Sequence, residues 1–142
     1  MHKIGSKTNK SDQEKPIEIQ AGKQIAALAI IGSKLYVADT MGNDIYVFDT
    51  ENDTQLAKIK SGNGPVSLAT HGSMLFIASK WSKEILILDT TKNRFIGKPI
   101  FLSGHPNLIK IINNKIYVSY FIGEKSYVIS YELAPLFLYY RS

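Results

Sequence analysis

The chain has 142 residues, of which 44% are hydrophobic and 20% charged, and its formal net charge is +5. This length fits one domain with a core, and this composition is unlike that of disordered chains, which are poor in hydrophobic residues and highly charged. The sequence contains no cysteine, which excludes disulfides and thiolate metal sites. Its lysines are scattered and form no basic stripe of the kind that indicates nucleic-acid binding.

The chain begins with MHKIGSKTNKSDQEK, a polar stretch with an excess of lysine. It lacks the apolar core of a signal peptide, and no run of apolar residues in the sequence is long enough for a transmembrane helix. We therefore predict a flexible tail over residues 1–15 and no transmembrane segment, while the compartment stays open. PIEIQ, at 16–20, has the position of an outermost strand of a preceding unit.

A repeat of about forty residues follows. GSKLYVADTMGNDIYVFDT (32–50) is matched by GSMLFIASKWSKEILILDT (72–90), and a third, weaker copy places Pro106 under Pro65 and Ile116 under Leu75. The repeat defines three units, at 17–50, 57–90 and 98–131. We expect an irregular C-terminal end over 134–142.

Each unit contains short apolar runs, such as LYVA with IYVF in the first and LFIA with ILIL in the second. These runs are rich in Ile, Val, Tyr and Phe and are bounded by Gly, Asn, Asp or Ser, which is typical of strands. Because successive positions are apolar, both faces of each strand need cover. Connections such as TMGND are too short for parallel crossovers, so neighbouring strands must be antiparallel.

Antiparallel sheets stacked about an axis satisfy these conditions, and a forty-residue period fits four strands with their turns. We predict an all-β fold of about three β-propeller blades, each with four antiparallel strands, in an incomplete ring. In the second unit the outer strand is expected at 55–60, the innermost at 66–70 and the central strands at 74–79 and 84–89. A β-sandwich is the alternative, but it does not require a period.

Two Asp-Thr pairs end strands at equivalent positions. Asp can accept hydrogen bonds from backbone amides two residues further on, so Asp49-Thr50 and Asp89-Thr90 are predicted to form structural turns. Pro65 and Pro106, at the entry to innermost strands, are predicted to be turn residues as well. The alternative role for the aspartates, acid–base or metal chemistry, has less support.

LYVADT with IYVFDT (35–40 and 45–50), and GNGPVSLAT followed by LFIAS and ILILDT, resemble the YVTN family of β-propeller repeats over about residues 17–131. The third unit departs from the pattern where SYVISYEL replaces the expected Asp-Thr ending. The resemblance implies a scaffold of cell-envelope, surface or secreted proteins that binds partners. Related propellers hold cofactors in some oxidoreductases or catalyse lactone chemistry, and fold alone does not choose among these roles.

Propellers typically have four to eight blades, and three blades leave apolar faces without a neighbour. The sequence is thus consistent with a piece of a longer propeller, with two chains completing a six-bladed ring, or with an open arc. Self-association through the exposed blade faces is one expectation.

Loops between central strands, and those entering innermost strands, are expected on one face of the ring. The candidate ligand- or partner-binding residues there are Asp39, Met41, Lys80, Trp81, His105 and Tyr120. Phe121 lies beside Tyr120, and ordinary packing between blades is the rival role for Trp81.

The sequence shows no phosphate-binding loop, nucleophile elbow, zinc helix or calcium loop. We therefore predict a non-catalytic binding module, with no catalytic residues, metal or cofactor. The expected partner is an unidentified protein or small ligand, and nucleic acid is not expected. A fragment of a propeller enzyme, oxidoreductase or lactonase-like, is the alternative.

Overall fold

The computed structural model describes residues 15–134, and these form three antiparallel β-sheets. The first sheet contains β1 (Ile25–Ile31), β2 (Lys34–Asp39), β3 (Asp44–Asp49) and β4 (Gln55–Lys60). The second contains β5 (Pro65–His71), β6 (Met74–Ser79), β7 (Glu84–Asp89), β8 (Arg94–Phe95) and β9 (Ile100–Phe101). The third contains β10 (His105–Ile112), β11 (Lys115–Ile122) and β12 (Lys125–Glu132). The predicted tail and C-terminal end lie almost entirely outside the described residues.

The all-β prediction is confirmed, and strands that follow one another in the chain pair in each sheet, except that β9 pairs with β7. The outer strands differ from the prediction. The strand at 55–60 pairs with β3, so it completes the first sheet and does not open a second unit. Residues 16–20 form no strand. A strand requires a hydrogen-bonded neighbour. In a closed ring the expected neighbour of residues 16–20 is the third sheet, and the third sheet does not pair with them.

Among the described residues, the first sheet has the predicted four strands and the other two sheets do not. In the second, two short strands, β8 and β9, share the outer edge of β7. Gly97 and Pro99 lie between them, and proline cannot donate to a ladder. Within the described range the third sheet has three strands. There SYVISYEL supplies β12, which pairs with β11 in unbroken register from Lys115↔Glu132 to Ile122↔Lys125.

Both prolines predicted as turn residues lie inside strands. Pro65 opens β5 and Pro106 is the second residue of β10. Each stands at a register shift, between Pro65 and Ser67 and between Pro106 and Leu108. The residues left out of the ladder are Val66 and Asn107, so each proline is the paired residue directly before a bulge. Strand starts and bulges are the places in a sheet where proline is tolerated.

The second sheet is buried on both faces. Leu75, Ile77 and Leu88 pack against the first sheet, whereas Phe76 and Ile85 pack against the third. Burial of a large apolar side chain stabilises the fold by roughly 1.5–3 kcal/mol. The successive apolar positions of β6 thus serve two neighbouring sheets.

The outer faces of the first and third sheets are covered less evenly. On the first sheet Ala21, from the segment before β1, is buried against Val37 and Phe48. On the third sheet the outward cross-strand row Lys110↔Tyr117↔Ser130 is exposed. The equivalent row in the second sheet, which faces the third, is Ala69↔Phe76↔Ile87.

The Asp-Thr pairs tie together the turns at one end of the first and second sheets. Asp49 Oδ1 accepts a hydrogen bond from the Glu51 amide at 2.8 Å, and Thr50 Oγ1 donates to Ser33 O at 2.8 Å. In the second sheet Asp89 Oδ1 accepts from the Thr91 amide and hydroxyl at 3.0 and 2.6 Å.

Thr90 repeats the contact of Thr50, with Oγ1 donating to Ser73 O at 2.6 Å. The Thr91 hydroxyl is the largest cause of a lowered pKa of the Asp89 carboxyl.

Candidate functional site

The opposite end of the sheets carries the loops between central strands and the loops that enter innermost strands; we call it the loop face. Its loops are linked from sheet to sheet. Thr40 Oγ1 donates to Pro65 O at 2.7 Å, and the Gly64 amide donates to Asn43 Oδ1 at 2.8 Å. At the next seam His105 Nδ1 lies 3.0 Å from Lys80 O. These bonds hold the loops of adjacent sheets in fixed positions.

One large apolar side chain per sheet is exposed at the aligned position of the repeat, which lies in the loop after β2 or β6 and at the last residue of β11 in the third sheet. Met41 is 63% exposed, Trp81 57% and Ile122 46%. Isolated exposed apolar side chains are ordinary, but a regular row on one face is the kind of surface that binds a partner.

The middle member of the row belongs to a cluster at the seam between the second and third sheets. The rings of Trp81 and His105 meet edge-on with centroids 5.9 Å apart, and His105 is 5.2 Å from the Phe121 ring. Lys80 Nζ lies 4.8 Å from the centre of the Trp81 ring and 5.4 Å from that of Phe121. Three residues predicted separately, Lys80, Trp81 and His105, thus lie together, with Phe121 as a fourth.

The tautomer of His105 follows from its partner. A carbonyl oxygen can only accept, so Nδ1 carries the hydrogen that is donated to Lys80 O. The remaining nitrogen, Nε2, is then the acceptor of the neutral ring. The bond also holds the Lys80 carbonyl, which lies between the residues that carry the Lys80 and Trp81 side chains.

The loop under Trp81 is held by residues that belong to no sequence motif. A Cβ built at Gly64, whose φ is +73°, would overlap the indole. The same loop is held by Ser82, whose Oγ accepts from the Asn63 amide at 3.1 Å and donates to Glu84 Oε2 at 2.9 Å. Glu84 and Ser82 therefore position the surface on which Trp81 lies.

Asp39 is predicted to be a binding residue of the loop face, but its side chain is buried: the residue is 1% exposed. Its Oδ1 accepts from the amides of Gln24 and Lys23 at 2.9 and 3.2 Å. Burial alone raises the pKa of this carboxyl, but backbone hydrogen bonds and the charge of Lys23 outweigh burial and lower it. Asp39 is thus a structural residue that holds the entry loop of β1.

In the second sheet a carboxylate again lies against the glycine before the innermost strand, but it comes from β7 and not from the strand equivalent to β2. A Cβ on Gly22 would meet the Asp39 carboxylate, and one on the aligned Gly62 would meet that of Glu84. Ser79 occupies the position of Asp39, and its buried hydroxyl makes no hydrogen bond.

Tyr120 has the corresponding position in the third sheet. It is half-buried and stacks on Tyr127 with ring centroids 5.3 Å apart. Its ring is therefore engaged by its own sheet, whereas the cluster contains the next residue in the chain, Phe121.

Over residues 15–134 no three His, Cys, Asp or Glu side chains lie together as metal ligands would. No helix in that range is long and apolar enough to cross a membrane.

Comparison with known proteins bears on the fold. No family model matches the sequence, and no curated protein matches it. Among solved structures, hydrazine synthase of Kuenenia stuttgartiensis is similar over 86% of this chain and 36% of its own, with 16% identity and a TM-score of 0.73.

Two further structures are similar at comparable levels. The β-propeller domain of Cps50 (Swd1) from Myceliophteria thermophila matches over 80% of this chain and 40% of its own, with 12% identity and a TM-score of 0.62. The WD40 repeats of RRP9 match over 74% of this chain and 36% of their own, with 11% identity and a TM-score of 0.61. The chain therefore has a β-propeller fold and spans less than half of these structures.

Proposed function

We propose that the chain is a non-catalytic β-propeller module, or a fragment of a propeller, that binds a partner protein or small ligand through its loop face. The observation that carries the proposal is the cluster of Lys80, Trp81, His105 and Phe121. An exposed indole with a fixed ammonium beside it combines apolar area with charge, and Trp is among the residues that contribute most to binding energy.

Two further observations support this role. The contacts among Lys80, Trp81, His105 and Phe121 are made between the second and third sheets, and both sheets belong to this chain. Propellers and WD40 repeats among the similar structures are compatible with a scaffold. The YVTN repeat type, with its implied place at a cell surface, rests on the sequence resemblance alone and belongs to this proposal.

The proposal is tested by site-specific photo-crosslinking in extracts of the source organism. A crosslinking residue in place of Met41, on the loop face, should capture a discrete partner, and one in place of Asn93, at the opposite end, should not. The double variant Trp81→Ala, Lys80→Ala should reduce capture from position 41 about tenfold. Equal capture from both positions, or capture unchanged by the double variant, would count against the loop face.

The absence of catalysis is part of the same proposal and has a test of its own. Purified protein should contain no chromophore or stoichiometric metal and should not turn over lactones or amines. Turnover that co-purifies with the folded chain would favour the alternative, a fragment of a propeller enzyme.

A further inference from the structure

We infer that the partner bound by the loop face is an acidic segment of a protein, presenting apolar side chains about 10 Å apart. This inference rests on the proposed function and specifies its ligand. Met41, Trp81 and Ile122 are exposed at aligned positions of three successive sheets, Ile122 as the last residue of β11, and packed sheets lie about 10 Å apart. Residues seven apart on an α-helix are separated by about the same distance. An amphipathic helix with an apolar residue at every seventh position therefore matches the row.

The charge of the segment follows from the groups around the row. Beside Trp81, Lys83 is exposed and Lys80 half-exposed, whereas Glu84 of the same loop is buried. Lys23 and Lys125, near the two ends of the row, are also exposed, and Glu124 is the exposed acid among these loops.

Two buried carboxylates, those of Asp44 and Asp39, reduce this positive charge without reversing it. Lys60 lies 3.8 Å from the buried carboxylate of Asp44, and Asp39 is likewise buried. The groups that a docked segment would touch are thus mainly ammonium groups, which complement carboxylates.

The position of Lys80 distinguishes an acidic peptide from a nucleic acid. Single strands bind to such surfaces by stacking bases on aromatic rings. Here an ammonium already lies over the Trp81 ring, at 4.8 Å from its centre, so a base could stack only by displacing it. A carboxylate can approach Lys80 from outside while the cation–π contact persists.

The test uses the full chain and a synthetic helical peptide of about 21 residues, with leucine at every seventh position and glutamates beside each leucine. The control probes are the same peptide with lysine in place of glutamate, and an oligothymidylate of about ten nucleotides. Trp81 is the chain's single tryptophan, so intrinsic fluorescence reports on the site. Amide chemical shifts locate the contact.

We expect the acidic peptide to bind, to shift loop-face amides and to bind less tightly as salt concentration rises. Lys83→Glu should weaken binding about tenfold. Lys92→Glu makes the same charge change on an exposed residue in the turn at the opposite end of the second sheet, and it should leave affinity within about twofold.

The contrary results separate the two proposals. Loop-face shifts caused by the lysine peptide or the oligothymidylate, and not by the acidic peptide, would overturn the inference and leave the proposed function standing. Shifts from the acidic peptide confined to other surfaces would overturn both. An acidic peptide that fails to bind at about 1 mM, or binds equally to Lys83→Glu and Lys92→Glu, would overturn the inference.

Discussion

At the scale of single residues, the first and second sheets provide internal comparisons, since each position has a counterpart in another sheet. Tyr36 corresponds to Phe76, and both are fully buried. Burial raises the pKa of the Tyr36 hydroxyl, against a smaller opposing effect of the Thr90 hydroxyl, and no hydrogen bond of good geometry forms. The hydroxyl therefore contributes little to the packing between the first two sheets.

Tyr36→Phe should accordingly leave the free energy of unfolding unchanged or raise it by up to about 1 kcal/mol, because it removes a buried polar group without a partner. The converse change, Phe76→Tyr, should lower it by about 1–3 kcal/mol, because it buries a new hydroxyl in a packed core. Denaturant titration measures both. A loss above about 1 kcal/mol in Tyr36→Phe would show that the hydroxyl has a stabilising partner.

Asp39 makes stability depend on pH. Its folded-state pKa is lowered, so its contribution is fully present above the unfolded value of about 3.9 and is lost as pH falls through the folded value. Asp39→Asn should cost about 1–2 kcal/mol at pH 7, and the difference from wild type should shrink below about pH 4.

Thermal unfolding at several pH values measures this difference between wild type and Asp39→Asn. Asp53→Asn, in an exposed turn where φ is +58°, is the control. A pH-independent difference for Asp39→Asn would contradict the assigned role.

At the scale of single elements, the loop 61–64 connects backbone geometry to the candidate site. Gly64→Ala should displace the Trp81 indole, because the added Cβ would overlap it. Gly72→Ala is the matched control, since φ is +58° there and nothing lies within 4 Å of the added Cβ. Both should lose about 1 kcal/mol from the left-handed backbone. Only Gly64→Ala should change the fluorescence of Trp81, and equal spectra in the two variants would refute the contact.

How far the sequence predicts these elements depends on where their information lies. The central strands β6 and β7 have the predicted bounds, 74–79 and 84–89, because dense apolar runs and adjacent turn residues are local signals. The outer strands β8 and β9 contain two residues each, too few for a period to be visible. Their existence depends on pairing with β7.

The site was only partly accessible from sequence for a related reason. The repeat aligns Met41, Trp81 and Ile122, so it predicts a shared loop position. It does not reveal that Asp39 turns inward and accepts from the Gln24 amide, or that His105 and Phe121 are paired on neighbouring strands, since both contacts depend on how the folded segments meet. Binding by these residues stays a prediction.

At the scale of the whole molecule, burial is greatest in the middle of the stack. The second sheet is covered on both sides, so its amides should open only with the largest free energies. Hydrogen exchange should be slowest in β6 and β7 and faster in β3 and β12. Slowest exchange in the first or third sheet would show that the stack does not unfold from its two outer faces.

The outer face of the third sheet carries more polar side chains than the equivalent face of the second sheet, which packs against the third. Lys110 and Ser130 replace Ala69 and Ile87 in equivalent cross-strand rows. The double variant Lys110→Ala, Ser130→Ile should therefore associate more strongly than wild type, because it removes a charge and adds apolar area to an exposed face.

Sedimentation measured over a range of protein concentrations tests this association. Lys34→Ala with Ser33→Ile, at a turn of the first sheet, is the control. An unchanged association constant would mean that this face is not available to a second chain.

The carboxylates against Gly22 and Gly62 come from different strands, Asp39 at the end of β2 and Glu84 at the start of β7. This has a consequence for recombination among repeats. A chimera that moves β6 into the first sheet without β7 would place Ser79 where Asp39 now lies. The residue opposite it would be Asp44, whose side chain is shorter than that of Glu84. The loop before β1 would then lose the carboxylate that accepts its amide hydrogen bonds. The smallest exchangeable part is thus a hairpin, because the residue at the end of one central strand and the residue at the start of the next together determine which carboxylate reaches the glycine.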